Sequence, residues 1–365
     1  MRHFVFALIP VAVVLLFAEL ILRATGAHQR CFNPYRDDAL YTCDPILYFR
    51  LRSDLKPDGK PLNTLGFRSR EFLPKTEGTF RILVLGDSCS FGVIFDPDMK
   101  YIARPYPQRL EELVIRRSGG PAEVLNSGLL AYNSYQGLML LKTKLSDLDP
   151  DLVVVRYGWN DHLLQREDLN ERAFREPEND FLRRTRDVLL GTAVYTYAVG
   201  LRTSYGLRKL AAQKGAKFSR WQPTIPLAEY EQNLERITRL ARDRGAKVWL
   251  LTSPHAFLMD EYRGRYDEFK GKFLGEGVLS VNMIPSFDEL VKIHESYNHA
   301  VRRVGSRLHA PVVDMELVYR KHAGEHLFSN NDVIHVTQAG HDLEANVLYY
   351  ELVARQLVRA PEAAR

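Results

Sequence analysis

Short apolar runs alternate with longer segments of helical spacing from Arg81 to the end of the chain. The apolar runs predict five strands, which in chain order are RILVLG, EVLNSG, DLVVVRYG, KVWLLTSP and APVVDM. The third run is apolar at consecutive positions, which is typical of a parallel strand that is buried on both faces.

Five segments with apolar residues three and four positions apart follow these strands and predict helices. They read YPQRLEELVIRR, YQGLMLLKTKLSDL, LAEYEQNLERITRLARDRG, FDELVKIHESYNHAVRRVGSRLH and TQAGHDLEANVLYYELVARQLV. Thr337 is predicted to cap the N-terminus of the last helix. Because single helices connect the strands, the pattern predicts an α/β fold with a parallel sheet of about five strands and helices on both faces.

Two long insertions interrupt this alternation, at residues 163–226 and 254–287. Both follow the C-terminal ends of strands, where open α/β sheets bind ligands, so we expect them to shape a substrate cleft. Surface decoration is the alternative. Within the first insertion, VLLGTAVYTYAVGLR predicts an ordinary helix packed on the domain, and a helix lying on a membrane surface is the alternative.

The start of the chain is apolar from residue 4 to residue 22, with Glu19 as the exception. As a helix this segment would extend about 28 Å, close to the thickness of a bilayer core. We predict an uncleaved signal anchor over residues 1–25, with a cleaved signal peptide and a buried helix as alternatives. Residues 26–77 lack a helical period and predict a juxtamembrane stalk, and residues 78–358 are expected to form the main domain.

Composition narrows the class of protein. The 365 residues hold 50 Lys and Arg against 45 Asp and Glu, and no dense basic run or aromatic–basic motif suggests nucleic-acid binding. Cys31 and Cys43 lie close together and could form a disulfide in an exported chain, or remain free thiols; Cys89 stands alone. We expect a membrane-anchored protein whose main domain faces the extracytoplasmic side.

The first predicted strand ends on Gly86, Asp87 and Ser88. A hydroxyl at the C-terminal end of a central strand lies where α/β enzymes place reactive groups, so Ser88 is a candidate nucleophile. A helix N-cap is the alternative. The segment is neither a phosphate-binding loop nor a G-x-S-x-G elbow, because it lacks the Lys of the first and the second glycine of the other.

A base and an orienting carboxylate occur together before the last helix, as His335 and Asp332. An aspartate can fix the tautomer of an imidazole that takes a proton from serine, although such a pair may also bond only locally. Gly128 after the second strand and Asn160 after the third are candidate oxyanion donors, or simple turn residues. The C-terminal ends of parallel strands share one edge, so we expect these residues to lie close together.

A competing pattern is HAGEH at residues 322–326, which fits the zinc motif H-x-x-E-H. That motif requires a helix to place both histidines on one face. Gly324 in its middle argues against a helix, so no metal site is predicted.

Four blocks of this chain resemble those of the SGNH (GDSL-type) hydrolases. They are GDS at 86–88, Gly128, GWND at 158–161 and DVIH at 332–335, in the order of the family. The resemblance covers about residues 78–358 and implies a flavodoxin-like three-layer α/β/α sandwich. Cys89 is a departure, because many members have Leu there, and it affects packing only.

The resemblance also implies roles for residues. Ser88 would be the nucleophile, His335 the base and Asp332 its orienter, while the N–H groups of Ser88 and Gly128 and the amide of Asn160 would form an oxyanion hole. No cofactor is implied. We therefore expect a serine esterase that cleaves acyl esters of envelope glycans or lipids. An acyltransferase with the same triad and a non-catalytic, anchored glycan-binding or assembly module are the alternatives.

Overall fold

A computed structural model describes residues 2–31, 40–95, 98–166, 177, 179–211, 221–256, 264, 286–329 and 332–360. The chain divides into two compact units. The first unit comprises residues 1–52 and 168–219, and the second unit comprises residues 53–167 and 220–365.

The strands and helices are numbered here in chain order. The strands are β1 Tyr41–Thr42, β2 Arg50–Leu51, β3 Phe80–Gly86, β4 Val93–Phe95, β5 Met99–Tyr101, β6 Ala122–Asn126, β7 Leu152–Arg156, β8 Leu164–Arg166, β9 Trp221–Pro223, β10 Lys247–Leu251, β11 Val312–Val313, β12 Phe328–Ser329 and β13 Asp332–Val336. The α-helices are α1 Arg2–Thr25, α2 Ser88–Phe91, α3 Tyr106–Ser118, α4 Ser134–Thr143, α5 Trp159–His162, α6 Asp180–Leu189, α7 Ala193–Ala211, α8 Leu227–Arg242, α9 Phe287–Leu308, α10 Met315–Lys321 and α11 Gln338–Ala354.

A five-stranded sheet with the order β11-β10-β7-β3-β6 forms the centre of the second unit. Every neighbouring pair in it is parallel, which confirms the predicted α/β class and sheet. If the five strands of this sheet are numbered 1 to 5 in chain order, from β3 to β11, their order across the sheet is 2-1-3-4-5. This is the flavodoxin-like doubly wound order. The direction of winding reverses at β3, so the C-terminal end of β3 lies at the switch point where such sheets bind ligands.

Side chains alternate along each strand, so the apolar strands of this sheet present apolar side chains on both faces. Helices cover both faces. Ile82 of β3 and Val154 of β7 pack on one face, against apolar side chains of α3 and α11. On the other face, α4 lies against β3, and α8 and α9 lie against β10. The observed helices begin within one residue of the predicted segments, but α4 and α11 end five and four residues before the predicted ends. Thr337 caps α11 by accepting a hydrogen bond from the N–H of Gly340.

The first unit contains α1, the β1–β2 pair, α6 and α7. Cys31 and Cys43 form a disulfide, which settles the alternatives left open by the sequence. Glu19 on α1 accepts hydrogen bonds from the N–H groups of Ala193 and Val194, 2.9 Å each, at the start of α7. Arg23 donates a hydrogen bond to the carbonyl of Gly191, 2.8 Å away.

Among the residues that the structure describes, no helix combines the length and apolar character needed to cross a membrane. The transmembrane anchor predicted over residues 1–25 is therefore not supported by the structure. The residues form the continuous helix α1, with Pro10 inside it.

The predicted boundaries of the outer segments also differ from the structure. The segment expected to be a stalk, residues 26–77, is divided between the units after Arg52. The single helix predicted for VLLGTAVYTYAVGLR is wrong, because α6 ends at Leu189 and α7 begins at Ala193. Most of the second predicted insertion, at 254–287, lies outside the described residues.

Candidate active site

Ser88 is the first residue of α2, directly after the central strand β3. Asp87 caps this helix, since its Oδ1 accepts a hydrogen bond of 2.9 Å from the N–H of Cys89. Gly86 is required by space, because a Cβ there would lie 2.2 Å from the Oγ of Ser90. The chain thus turns sharply at the end of β3 and leaves the Ser88 side chain half-buried at the sheet edge.

His335 joins Ser88 to Asp332. Its Nε2 lies 2.8 Å from the Oγ of Ser88, and its Nδ1 lies 2.8 Å from the Oδ2 of Asp332. The Oδ1 of Asp332 also accepts hydrogen bonds from the N–H groups of Ile334 and His335, at 3.0 and 2.9 Å. With Nδ1–H donating to the carboxylate, Nε2 is left to accept the Ser88 hydroxyl proton. The structure therefore brings these three predicted residues together.

Phe95 supports this arrangement and was missed by the sequence analysis. Its backbone N–H donates a hydrogen bond of 2.8 Å to the Oδ2 of Asp332, and its ring lies 5.3 Å from that of His335. Phe95 ends β4, which pairs with β5 in an antiparallel hairpin. A backbone donor on a three-residue strand leaves no signal in the sequence.

Gly128 lies against α2, because a Cβ there would be 2.7 Å from the N of Phe91 and from the Cβ of Ser90. Its N–H donates a hydrogen bond of 3.0 Å to the Oδ1 of Asn126. Asn126 in turn donates through Nδ2 to the carbonyl of Ser90, 2.8 Å away. This buried asparagine at the end of β6 was not predicted, and it holds the Gly128 loop to the helix that carries the serine.

Asn160 lies in α5, after β7, and its Nδ2 donates a hydrogen bond of 2.9 Å to the carbonyl of Tyr132. The neighbouring Asp161 accepts hydrogen bonds from the N–H groups of Ser134 and Gly158, at 2.9 and 3.1 Å. Burial raises the pKa of Asp161 to about 7. β6 and β7 flank β3 in the sheet, so Gly128 and Asn160 follow strands on either side of the one that carries Ser88.

Cys89 does not compete with Ser88 as a nucleophile. Its side chain is buried, and its Sγ lies 3.9 Å from the carbonyl of Ile334. Burial raises the pKa of the thiol well above its usual value. Because the thiolate is the reactive form, this cysteine is held in an inert state.

A buried ion pair lies between β7 and α11. The Nη1 of Arg156 donates a hydrogen bond of 2.8 Å to the Oε2 of Glu344, and Tyr319 donates to the other carboxylate oxygen at 3.1 Å. Burial raises the pKa of Glu344, and Arg156 opposes that rise. His341, one turn earlier on α11, is also buried and accepts a hydrogen bond from the N–H of Tyr106.

His162, two residues after Asn160, is buried. Its Nε2 lies 2.9 Å from the Nδ1 of His294 on α9, whose Nε2 lies 2.8 Å from the carbonyl of Ser253. Burial lowers the pKa of His294 to about 4, and the pKa of His162 is also lowered. Both imidazoles are therefore neutral at physiological pH and link α5 to α9.

The segment HAGEH at residues 322–326, which the sequence analysis rejected as a zinc motif, is not helical. α10 ends at Lys321, before the motif, and His322 bonds to Glu325 at 2.8 Å. Within the described residues, one other group has ligand atoms close enough to hold a metal ion, and it consists of His255, Glu295 and Glu316. Arg320 pairs with both of these carboxylates, and Arg302 pairs with Glu316 as well, so their charge is already offset.

A doubly wound α/β sheet with serine, histidine and aspartate aligned at its switch point is an arrangement found in serine hydrolases. The chain belongs to the GDSL-like lipase/acylhydrolase family, whose model matches residues 84–343. It is accordingly an enzyme of the class that acts on ester bonds, as the sequence predicted.

Solved structures with a similar fold include a lipase/acylhydrolase from Enterococcus faecalis, at 18% identity and a TM-score of 0.46, covering 78% of this chain and 99% of that one. A GDSL-like lipase from Bacteroides thetaiotaomicron matches at 14% identity and a TM-score of 0.39, covering 78% and 92%. An acetylxylan esterase from Geobacillus stearothermophilus matches at 13% identity and a TM-score of 0.43, covering 74% and 93%. No match was found among curated proteins.

Proposed function

We propose that this chain is a serine esterase in which Ser88 attacks an acyl carbonyl and His335 takes the serine proton. The observation that carries the proposal is the continuous set of contacts from Ser88 Oγ through His335 to Asp332, each 2.8 Å long. A serine hydroxyl is a weak nucleophile until such a base accepts its proton. The Asp332 carboxylate stabilises the imidazolium as it forms.

The reaction proceeds in two stages. Ser88 Oγ bonds to the carbonyl carbon, its proton passes to His335 Nε2, and the carbonyl oxygen becomes an oxyanion. Collapse of this intermediate breaks the ester C–O bond, and the leaving alkoxide takes the proton from His335. Water then attacks the acyl-enzyme, gives a proton to His335, and Ser88 leaves with that proton as the free acid is released.

The oxyanion would be held by the N–H groups of Ser88 and Gly128 and by the side-chain amide of Asn160. Asn160 has a second amide hydrogen beyond the one that bonds to Tyr132. Gly128 already donates to Asn126, so its N–H would be shared between that side chain and the oxyanion. The position of both residues beside β3 supports this role.

The substrate class that we propose is an acyl ester of an envelope glycan or lipid, reached on the extracytoplasmic side. The disulfide between Cys31 and Cys43 supports an oxidising compartment, because such bonds rarely persist in the cytosol. An acyltransferase is the second candidate, since a sugar hydroxyl can replace water at the acyl-enzyme by the same steps.

The test of the proposal is fluorophosphonate labelling of the full chain beside Ser88→Ala and His335→Ala, with Ser53→Ala as the control at an exposed serine. We expect wild type and the control to label equally, Ser88→Ala not to label, and His335→Ala to label at least about 10³-fold more slowly. Equal labelling of Ser88→Ala, or no labelling of a folded wild type, would refute the serine mechanism and favour a binding module.

Hydrolysis and transfer are separated by the fate of the acyl group. With a p-nitrophenyl acetate donor and an added glycan acceptor, an esterase releases acetate in amounts equal to p-nitrophenol. A transferase instead acetylates the glycan at the expense of free acetate.

A further inference from the structure

Helix α6 of the first unit turns its apolar side outward. Phe181, Leu182, Val188 and Leu189 are 74%, 55%, 76% and 38% exposed, and they lie on one face of the helix. We call these four residues the apolar face of α6. On the opposite side, Arg183, Arg186 and Asp187 are half-buried, and Leu190 just beyond the helix is buried. This is the reverse of a helix that packs on a water-soluble domain.

In the same unit, the helix α1 is exposed on all sides over residues 13–17. Its residues Val13, Val14, Leu15, Leu16 and Phe17 are consecutive, and each is at least 45% exposed. Five consecutive residues point in every direction around a helix, because each is rotated about 100° from the last. A groove on a protein surface covers one stripe of a helix and would leave the other exposed side chains of this segment uncovered.

The two exposed regions are tied together at one place. Glu19 of α1 bonds to the first N–H groups of α7, and Arg23 bonds to Gly191, which lies two residues beyond the end of α6. Glu19 also pairs with Arg23, 2.6 Å away, so the acidic group in this apolar helix is neutralised. The end of α6 is thereby held beside the C-terminal turns of α1.

The charge of the chain is concentrated in this unit. Residues 1–52 and 168–219 contain 16 Lys and Arg against 10 Asp and Glu, a net charge of +6. The rest of the chain contains 34 against 35, a net charge of −1. Arg184 is exposed on α6 at the flank of its apolar face. Basic charge beside an exposed apolar face is complementary to an anionic lipid surface.

We propose that the first unit binds an anionic phospholipid surface, with the apolar face of α6 lying at the boundary between headgroups and acyl chains. The exposed side chains of α1 enter the same lipid layer, and the basic residues of the unit contact the headgroups. The exposed apolar side chains could instead be covered by a second copy of the chain. The exposure of α1 on all sides over residues 13–17 and the charge of +6 favour lipid over that copy.

The test places an environment-sensitive fluorophore on α6 of the full chain, through Phe181→Cys and, separately, Val188→Cys. Arg239→Cys on α8 of the second unit is the matched control, since that side chain is 66% exposed on a charged helix. Cys31 and Cys43 are joined in a disulfide and Cys89 is buried, so little fluorophore should attach to them. The unsubstituted protein measures this background labelling. Each protein is mixed with phosphatidylcholine vesicles, with and without phosphatidylglycerol, and with nitroxide-labelled lipid as quencher.

We expect a blue shift and nitroxide quenching at positions 181 and 188, and neither at 239. Both the blue shift and the quenching should be several-fold larger on vesicles that contain phosphatidylglycerol than on vesicles of phosphatidylcholine alone. No shift at 181 and 188 would overturn the proposal, and an equal shift on both vesicle types would overturn its electrostatic part. A shift without vesicles that grows with protein concentration would identify a second copy as the occupant instead.

Discussion

Gly128 shows how a single residue limits the approach of one loop to the nucleophile. Because a Cβ at this position would meet the backbone N of Phe91, the substitution Gly128→Ala must displace either the loop or α2. A shift of the reacting groups by about 1 Å lowers the rate about 10²-fold. We expect that loss in p-nitrophenyl acetate hydrolysis.

The control for this prediction is Gly120→Ala, because a Cβ there meets nothing within 4 Å. Its rate should equal that of wild type. Unchanged hydrolysis by folded Gly128→Ala would mean that the loop after β6 takes no part in positioning the reaction.

The residues proposed to react could be predicted from the sequence, but the residues that hold them in position could not. Ser88, Asp332 and His335 each belong to a short motif at the end of a strand or before a helix. Phe95 acts through its backbone N–H, and Asn126 acts through a loop that only tertiary structure brings to α2. A backbone N–H is present in almost every residue type, so its role leaves no trace in the sequence. Sequence patterns therefore identify the reacting side chains better than the residues that position them.

At the scale of elements, the pair of His162 and His294 connects α5 to α9 and should make stability depend on pH. The pKa of His294 is lowered to about 4 in the folded chain, whereas in the unfolded chain it is about 6.5. The unfolded state therefore binds more protons between these values, so the free energy of unfolding falls as pH drops from about 6.5 to about 4. The loss approaches about 1.4 kcal/mol per pH unit for each such histidine.

Urea unfolding at a series of pH values checks this for wild type, His294→Gln and His299→Gln. His299 lies on the same helix but is exposed. We expect the slope against pH to be shallower in His294→Gln and unchanged in His299→Gln. Identical slopes in all three proteins would contradict the assignment.

The buried ion pair between β7 and α11 leads to a second prediction at this scale. Glu344→Gln leaves the Arg156 guanidinium without its counter-charge in a site where both side chains are 1% exposed. Breaking a buried pair in this way costs about 3–5 kcal/mol. The matched control is Glu351→Gln on the same helix, whose partner Arg355 is exposed, and it should cost less than about 1 kcal/mol. Equal free energies of unfolding for the two variants would refute the prediction.

The long strands of the sheet were predicted, as was the two-residue strand β11, but the short strands β4 and β5 were not. β3, β7 and β10 have five or more residues, and their apolar runs are visible against charged flanks. The hairpin of β4 and β5 has three residues in each strand, too few for a period of two to appear. Parallel pairing followed from the intervening helices, because two parallel strands need a crossover between them.

For the whole molecule, the disulfide lies in the first unit while every tryptophan lies in the second. The tryptophans are Trp159, Trp221 and Trp249. Reduction of Cys31–Cys43 opens a link of sequence separation 12 and should remove about 3 kcal/mol of stability. We expect reductant to lower the thermal midpoint of the first unit alone.

Far-UV circular dichroism reports helix in both units, and tryptophan fluorescence reports the second unit. A reductant-dependent transition seen by dichroism and absent from fluorescence would match this prediction. An equal shift in both signals, or slower fluorophosphonate labelling after reduction, would contradict it.

The composition of the first unit could not be predicted from local pattern. Its two chain segments are separated by more than a hundred residues, and the contacts that join them, such as those of Glu19 with Ala193 and Val194, depend on the folded chain. Apolar periodicity describes each helix by itself. It does not show which other segment a helix will join.

The bond between Glu19 and the start of α7 has a practical consequence for protein production. Residues 1–25 resemble a leader and would ordinarily be deleted before expression. That truncation would remove α1 and leave the N–H groups of Ala193 and Val194 without their carboxylate acceptor. A shortened chain that aggregates or is clipped by proteases near residue 190 would then reflect an incomplete unit. Expression trials should therefore keep residues 1–25.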